Sequence, residues 1–233
     1  KNIFIFEDNC ESLGAEYKGK YTGTFGLLST FSTYFSHHIS TMEGGLVTTD
    51  NEELYHILLS LRAHGWTRNL PPQNHVAPRL DNQFEESFRF VLPGYNLRPL
   101  EMSGALGIIQ LEKFPNFLNQ RIENSKVFLE KMMKYDDILT QKEVGLSSWF
   151  GFSMVIKPGS KRNREDLIYT LNKIGFECRP IVAGNFANNE VVKYFEKEIH
   201  DQLNNANWLD KNGLFIGNHH INMKEAMNSL ENI

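Results

Sequence analysis

Residues 31–45, FSTYFSHHISTMEGG, put short hydroxyls (Ser32, Thr33, Ser36), adjacent imidazoles (His37, His38), an acid and a glycine pair into one segment. Short hydroxyls bond a phosphate without bulk. Imidazole, with an unperturbed pKa of about 6.5, moves protons near neutrality. Gly44 and Gly45 permit positive φ or close backbone approach, or simply form a turn. Upstream, Glu7, Asp8 and Glu11 follow an apolar run. Carboxylates at the carboxyl end of a strand in an open α/β sheet face the crevice where ligands gather. One of them could neutralise a cationic ring nitrogen of a cofactor; a helix cap with solvated acids is the plainer use. Downstream, Arg62, His64 and Arg68 could hold a diphosphate, or serve as cations favoured at a helix C-terminus. Between Lys20 and Lys113 the sequence has no lysine.

These groups need elements to position them. Ile3–Phe6 reads as a buried strand of a mostly parallel sheet. Such a strand needs neighbours on both sides, so the expectation is that these residues are the C-terminal part of a longer chain or come from an incomplete gene. LLSTFSTYF and GGLVTTD read as two more strands. NEELYHILLSLRAHG opens on an Asn cap, spaces Leu54, Ile57, Leu58 and Leu61 as one apolar face, and ends at Gly65. The stretch from Trp66 to Arg89 has prolines and no period, and loops of that length are usually functional. The segment 98–135 reads as two helices broken near Pro115. Beyond Asp137 strand and helix alternate through FGFSMVIKP, REDLIYTLNKIG, FECRPIV, a helical 189–213 and LFIGNH. The fold class is α/β, with a first domain over 1–119 and a smaller one over 120–233.

Bulk properties narrow the partners. A net charge of -4 gives no reason to expect nucleic acid or an anionic membrane. No apolar run reaches the roughly 20 residues that span a bilayer. Cys10 and Cys178 are the only cysteines, which fits a reducing cytoplasmic setting and excludes a multi-thiolate metal site. No metal site is read in the sequence.

Three ordered blocks raise the specificity of the reading. FEDNCESLGAEYKGKYTGTFG resembles the E-D-x-A-x-x-x-G-A-x-x-x-G segment of the DegT/DnrJ/EryC1/StrS family of nucleotide-sugar aminotransferases. FSTYFSHHISTMEGGLVTTD is similar to the family's F-S-F-x-x-x-K-N-x-T-x-G-E-G-G block, and LPGYNLRPLEMSGALGIIQL to its G-Y-N-x-R-x-x-x-x-x-A-x-x-x-x-Q-L segment. The resemblance runs over nearly the whole chain. It implies the aspartate-aminotransferase fold (PLP-dependent transferase fold type I), with 1–119 as the C-terminal part of the large cofactor domain and 120–233 as the small domain. It further implies that Asp8 pairs with the pyridine nitrogen of pyridoxal phosphate and that Ser32 contacts the cofactor phosphate. Asn96 would reach a phosphate in the partner subunit of a homodimer. Glu11 stands where many relatives carry Gln, and would be a secondary cofactor contact.

Counted from either Ser32 or Glu43, the family's Schiff-base lysine falls on His37, and His38 on the Asn that follows. Imidazole cannot form that covalent link, so pyridoxal or pyridoxamine phosphate would be held non-covalently. His37 would then act as acid and base, biasing the outcome from transamination towards loss of a hydroxyl. Within the family this resembles the sugar 3-dehydratases. With two separated cysteines the chain is similar to the kind that has no iron–sulfur cluster and uses a GDP-linked 4-keto-6-deoxy sugar, in colitose and O-antigen biosynthesis. L-Glutamate would re-aminate the spent cofactor. His64, Arg68 and Arg179 are candidates for nucleotide-sugar contacts. The competing readings are an aminotransferase of the same family and a degenerate, non-catalytic homologue. These 233 residues alone are expected to be inactive.

Overall fold

A computed structural model describes residues 3–233 of the chain. It divides into two compact units, Lys1–Phe114 and Pro115–Ile233. In the first, β1 (Phe6–Asp8) is followed by a small hairpin of β2 (Glu16–Tyr17) and β3 (Lys20–Tyr21), then β4 (Leu28–Ser32) and β5 (Gly45–Thr48). A three-stranded sheet has the order β1-β4-β5. β1 runs parallel to β4, with Asp8 opposite Thr30, whereas β5 is antiparallel to β4, with Gly45 opposite Ser32. The strand expected at Ile3–Phe6 thus forms further along and carries Glu7 and Asp8 within it. It is not buried: Phe4 and Phe6 are 74% and 64% exposed. The physical reason is that β1 pairs with β4 on one side alone among the described residues, and no element covers its apolar side chains.

α1 (Glu52–Leu61) starts where the Asn cap predicts. The Asn51 side chain accepts the Leu54 N–H at 2.9 Å, satisfying one of the free N-terminal donors. Its buried residues are His56 and Ser60 rather than the leucine face, which is half-buried. The chain after the helix folds back onto its C-terminal end. Gly65 N–H donates to Ser60 O, Tyr95 N–H to Leu61 O, and Leu97 N–H to Arg62 O, at 2.8, 2.7 and 2.8 Å. The connecting stretch 62–100 is irregular apart from one turn of helix, α2 (Gln83–Glu86). Buried Glu86 organises it by accepting from Arg79, Arg89 and the Leu80 N–H at 3.1, 3.2 and 3.1 Å.

The expected break at Pro115 does not occur: α3 (Glu101–Met132) is one helix of 32 residues. A proline forfeits a single ladder bond and strains the preceding turn, and the turns on either side hold. Before it, Ser103, Gly107 and Gln110 form the less exposed face of α3. Beyond it, Arg121, Asn124, Ser125, Phe128 and Met132 are buried at three- and four-residue spacing.

The second unit contains a hydrophobic core cluster of fourteen buried residues among the described residues. β6 (Ile138–Thr140), β7 (Gly151–Ile156), β8 (Cys178–Arg179) and β9 (Gly213–Gly217) form an antiparallel sheet in the order β6-β7-β9-β8. Phe152, Met154, Leu214 and Ile216 on the sheet pack with Phe128, with Leu167 and Leu171 of α4 (Arg164–Lys173), and with Met227, which lies in a short helix over Lys224–Asn228. Polar groups lock the helix to the strand ends. Arg121 donates to Phe150 O and Asn218 O at 3.2 and 2.9 Å, and Asn218 donates to Arg121 O and Trp149 O at 3.0 and 2.8 Å. The long helix expected over 189–213 is only its last third, α5 (Asn204–Asn212). Residues 190–194 make a 3-10 turn, capped by the Asn189 side chain, and residues 195–203 are irregular.

Candidate active site

The segment 33–44 leaves the end of β4 and returns to β5 as a closed loop with the two histidines near its apex. Its neck is a buried polar clasp. The hydroxyls of Thr33 and Thr41 share a hydrogen bond of 2.6 Å, Thr41 N–H donates to Thr33 O at 2.8 Å, and Thr33 N–H donates to Gly44 O at 3.0 Å. Gly44 has φ +146, and a Cβ there would lie 2.8 Å from both threonine hydroxyls. The glycine pair of the sequence therefore has a defined use: its first member allows the clasp to close. One side of the loop rests on α3, where Ser40 N–H donates to the Gln110 Oε1 at 3.1 Å and the Gly107 position lies against the Thr41 methyl.

Within this frame His37 is half-buried, and His38 and Ile39 are 2% exposed. The two adjacent imidazoles are therefore not equivalent: His38 is packed inward. The His37 N–H donates to Tyr34 O at 2.9 Å and its ring meets the Tyr34 ring edge-on at 5.9 Å. Ser32, the last residue of β4, accepts the Tyr34 N–H at 3.2 Å, which leaves its own proton for donation outward.

The three acids of the β1 end have separate environments. Glu7 is committed to structure: its carboxylate accepts the N–H groups of Gly23, Phe25 and Gly26 at 2.7, 2.6 and 2.6 Å. Burial pushes its pKa up, but these backbone donors outweigh that and hold it below the ordinary value. Asp8 is exposed, and the Cys10 thiol, then the Cys10 N–H at 3.1 Å, hold its carboxyl below the usual range. It is an ionised, outward-facing carboxylate at neutral pH. Glu11 is also exposed; desolvation by neighbouring chain and then the Asp8 charge push its carboxyl up.

The structure brings Asp8, Glu11, Ser32 and His37 to one end of the three-stranded sheet, since β1 and β4 are adjacent and run in the same direction. His64 and Asn96 form a second group. His64 N–H donates to Tyr95 O at 2.8 Å, and Asn96 bridges Ala63; both side chains are exposed. The Arg68 guanidinium lies over the Trp66 ring at 4.1 Å. Arg179 belongs to the second unit, where its guanidinium is paired with Glu177 at 2.9 Å. Sequence reasoning missed the Thr33–Thr41–Gly44 clasp, although the threonines and the glycine were visible in the same segment.

The family model for the DegT/DnrJ/EryC1/StrS aminotransferase family matches residues 1–230. The chain belongs to this family. Among curated relatives of the DegT/DnrJ/EryC1/StrS family, it is 55% identical over 235 residues to GDP-4-keto-6-deoxy-D-mannose 3-dehydratase of Escherichia coli O55:H7, covering 100% of this chain and 61% of that protein. Among solved structures, GDP-4-keto-6-deoxymannose-3-dehydratase with a trapped PLP-glutamate geminal diamine superposes with a TM-score of 0.97 at 55% identity, covering 99% of this chain and 60% of the other. A histidine-to-asparagine mutant of that enzyme with bound GDP-perosamine matches with a TM-score of 0.96 at the same 55% identity, again over 99% and 60% of the two chains. The aminotransferase-like α/β fold is thereby shown. The chain spans about three-fifths of the length of these relatives. No helix among the described residues is long and apolar enough to cross a membrane.

Proposed function

We propose that the chain is the acid–base half of a pyridoxal/pyridoxamine phosphate-dependent 3-dehydratase acting on a GDP-linked 4-keto-6-deoxy sugar, in a homodimer that serves cytoplasmic deoxysugar (colitose, O-antigen) supply. One observation carries the reading. An imidazole, His37, occupies the apex of the clasped loop in a chain that has no lysine between Lys20 and Lys113 and retains Asp8 and Ser32.

The residues fit the cofactor. Asp8 is held ionised by its neighbours and faces outward, as pairing with a pyridinium nitrogen requires. Ser32 has a proton free to donate to a phosphate oxygen. When bound, pyridoxamine phosphate supplies an amine for the 4-keto group and an electron sink that lets the C3 hydroxyl depart, L-glutamate renewing the amine. His37 contributes proton movement and nothing covalent. It takes a proton at one ring nitrogen and returns one to the leaving C3 oxygen, so water departs rather than hydroxide. The buried clasp and the Gln110 contact fix the backbone from which the imidazole projects, so its reach is set before substrate arrives. Asn96, His64, Arg68 and Arg179 are the proposed contacts to phosphates of the partner subunit's site and of the nucleotide.

The test uses the complete protein with L-glutamate and the GDP-4-keto-6-deoxy sugar. Free ammonia and a 3-deoxy product are expected in equal amounts, and borohydride leaves the polypeptide unlabelled by cofactor. Nitrogen retained in the sugar, or cofactor fixed to the chain in the unmodified protein, refutes the assignment. His37→Lys should reverse the borohydride result and stop deoxygenation.

A further inference from the structure

Glu52, His56 and His75 take no part in the chemistry above, yet they meet at one place. One ligand-capable atom from each lies within 4.8 Å of the other two. Glu52 and His56 are four residues apart on α1 and so project from one face of it. His75 arrives from the irregular stretch that follows the helix. Its position does not depend on its own ring. The side chain of Asn74 accepts the N–H groups of Val76 and Ala77, both at 2.9 Å, and donates to Pro71 O at 3.1 Å, which fixes the turn on either side of His75.

Three details of this cluster suit an ion. The His75 Nε2 and Glu52 Oε2 atoms are 3.3 Å apart. Two ligands held at about 2.0–2.1 Å on a tetrahedral zinc are separated by roughly that distance. The rings of His56 and His75 lie at 24° with centroids 5.4 Å apart, roughly the spacing of two imidazoles that share one tetrahedral ion. His56 is 3% exposed and therefore held in one orientation. Its Nδ1 accepts the His75 N–H at 3.3 Å, which is long and marks Nδ1 as the nitrogen with the lone pair. An ion at Nδ1 would exchange this weak contact for a stronger bond, and the ring proton would remain on Nε2.

We propose that Glu52, His56 and His75 form a zinc-class divalent metal site. His56 Nδ1, His75 Nε2 and one Glu52 carboxylate oxygen would be the ligands, with water in the fourth position. Two imidazoles and one carboxylate select zinc, cobalt or nickel over magnesium and calcium, which need oxygen-rich shells. The bland alternative is a surface pair of Glu52 and His75, whose side chains are 73% and 53% exposed. Such a pair gives no reason for a second imidazole to stack on it. Bound metal would clip the stretch after α1 back onto the helix, and that stretch also carries Trp66 and Arg68.

The test is a titration of the chelator-stripped chain with Co²⁺, followed by Zn²⁺. One equivalent of cobalt with tetrahedral visible bands is expected, bleached by one equivalent of zinc. His75→Ala and Glu52→Gln alter exposed side chains and should leave the circular dichroism unchanged while weakening binding at least about tenfold. Failure of the stripped chain to take up a stoichiometric ion overturns the proposal. So does full-strength binding in His75→Ala, which would put the ion elsewhere, for instance at the adjacent His219–His220 rings.

Discussion

Gly44→Ala isolates the device that presents His37. The new methyl would sit 2.8 Å from Thr33 Oγ1 and 2.8 Å from Thr41 Oγ1, inside the distance that real Cβ atoms show. Those oxygens are bonded to each other at 2.6 Å in a buried position, so neither can withdraw without breaking the clasp. Losing a buried hydrogen bond and leaving its members unsatisfied costs about 1–3 kcal/mol. Holding a non-glycine residue at φ +146 adds about 1–3 kcal/mol. The sum, about 2–6 kcal/mol, falls on the loop first. Amide exchange at Thr33 and Thr41, whose N–H groups close the neck, should accelerate by about 30-fold or more for the lower figure. Gly104→Ala is the internal control. It lies in α3 with open space where the added methyl would go, and should leave the loop untouched while strengthening the helix by about 0.5–1 kcal/mol. Unchanged exchange at Thr33 and Thr41 in Gly44→Ala would refute the claim that the clasp holds the loop.

Asn218→Ala should lower the stability of the second unit by about 1–3 kcal/mol, since it removes the buried side-chain bonds to Arg121 O and Trp149 O; the urea midpoint followed by tryptophan fluorescence measures it. Glu86 is held at about 2, below its ordinary 4.5, by the Thr67 hydroxyl, then the Leu80 N–H, with Arg89 and Arg79 contributing. A carboxyl lowered on folding stabilises above its unfolded pKa and loses that contribution as acid protonates it. The first unit should therefore weaken as pH falls from about 4.5 towards 2. Glu86→Gln should flatten that decline in an acid titration followed by circular dichroism. The 233-residue chain incubated alone with pyridoxamine phosphate and then desalted should retain none, because it spans only about three-fifths of the length of its cofactor-binding relatives; retention of a stoichiometric absorbing species would contradict this.

Local chemistry made parts of the structure legible. Asn51 announced the start of α1, and its side chain caps as the sequence suggests. The block around His37 could be placed between two strands because β4 and the glycine-led β5 follow period and punctuation. Long-range packing hid the rest. The C-terminal carbonyls of α1 are bonded by backbone that returns more than thirty residues later, which no helical period reports. Pro115 reads as a break, yet five buried residues in the following turns outweigh one missing donor. Residues 189–203 have helical composition, but the Asn189 side chain caps only a short 3-10 turn over residues 190–194, and the rest is irregular. The His75 partner of α1 is nineteen residues from His56, in a stretch without period.

The clasp that shapes the loop is built from residues other than His37. Thr33, Thr41, Gly44 and Gln110 make the hydrogen bonds and the close approach that close it. Shape and reactivity are thus written in different letters of the same segment. On the proposed reading, a change of residue at position 37 would exchange a tethering amine for a proton carrier on a mount built by other residues, which would put two reaction types one side chain apart.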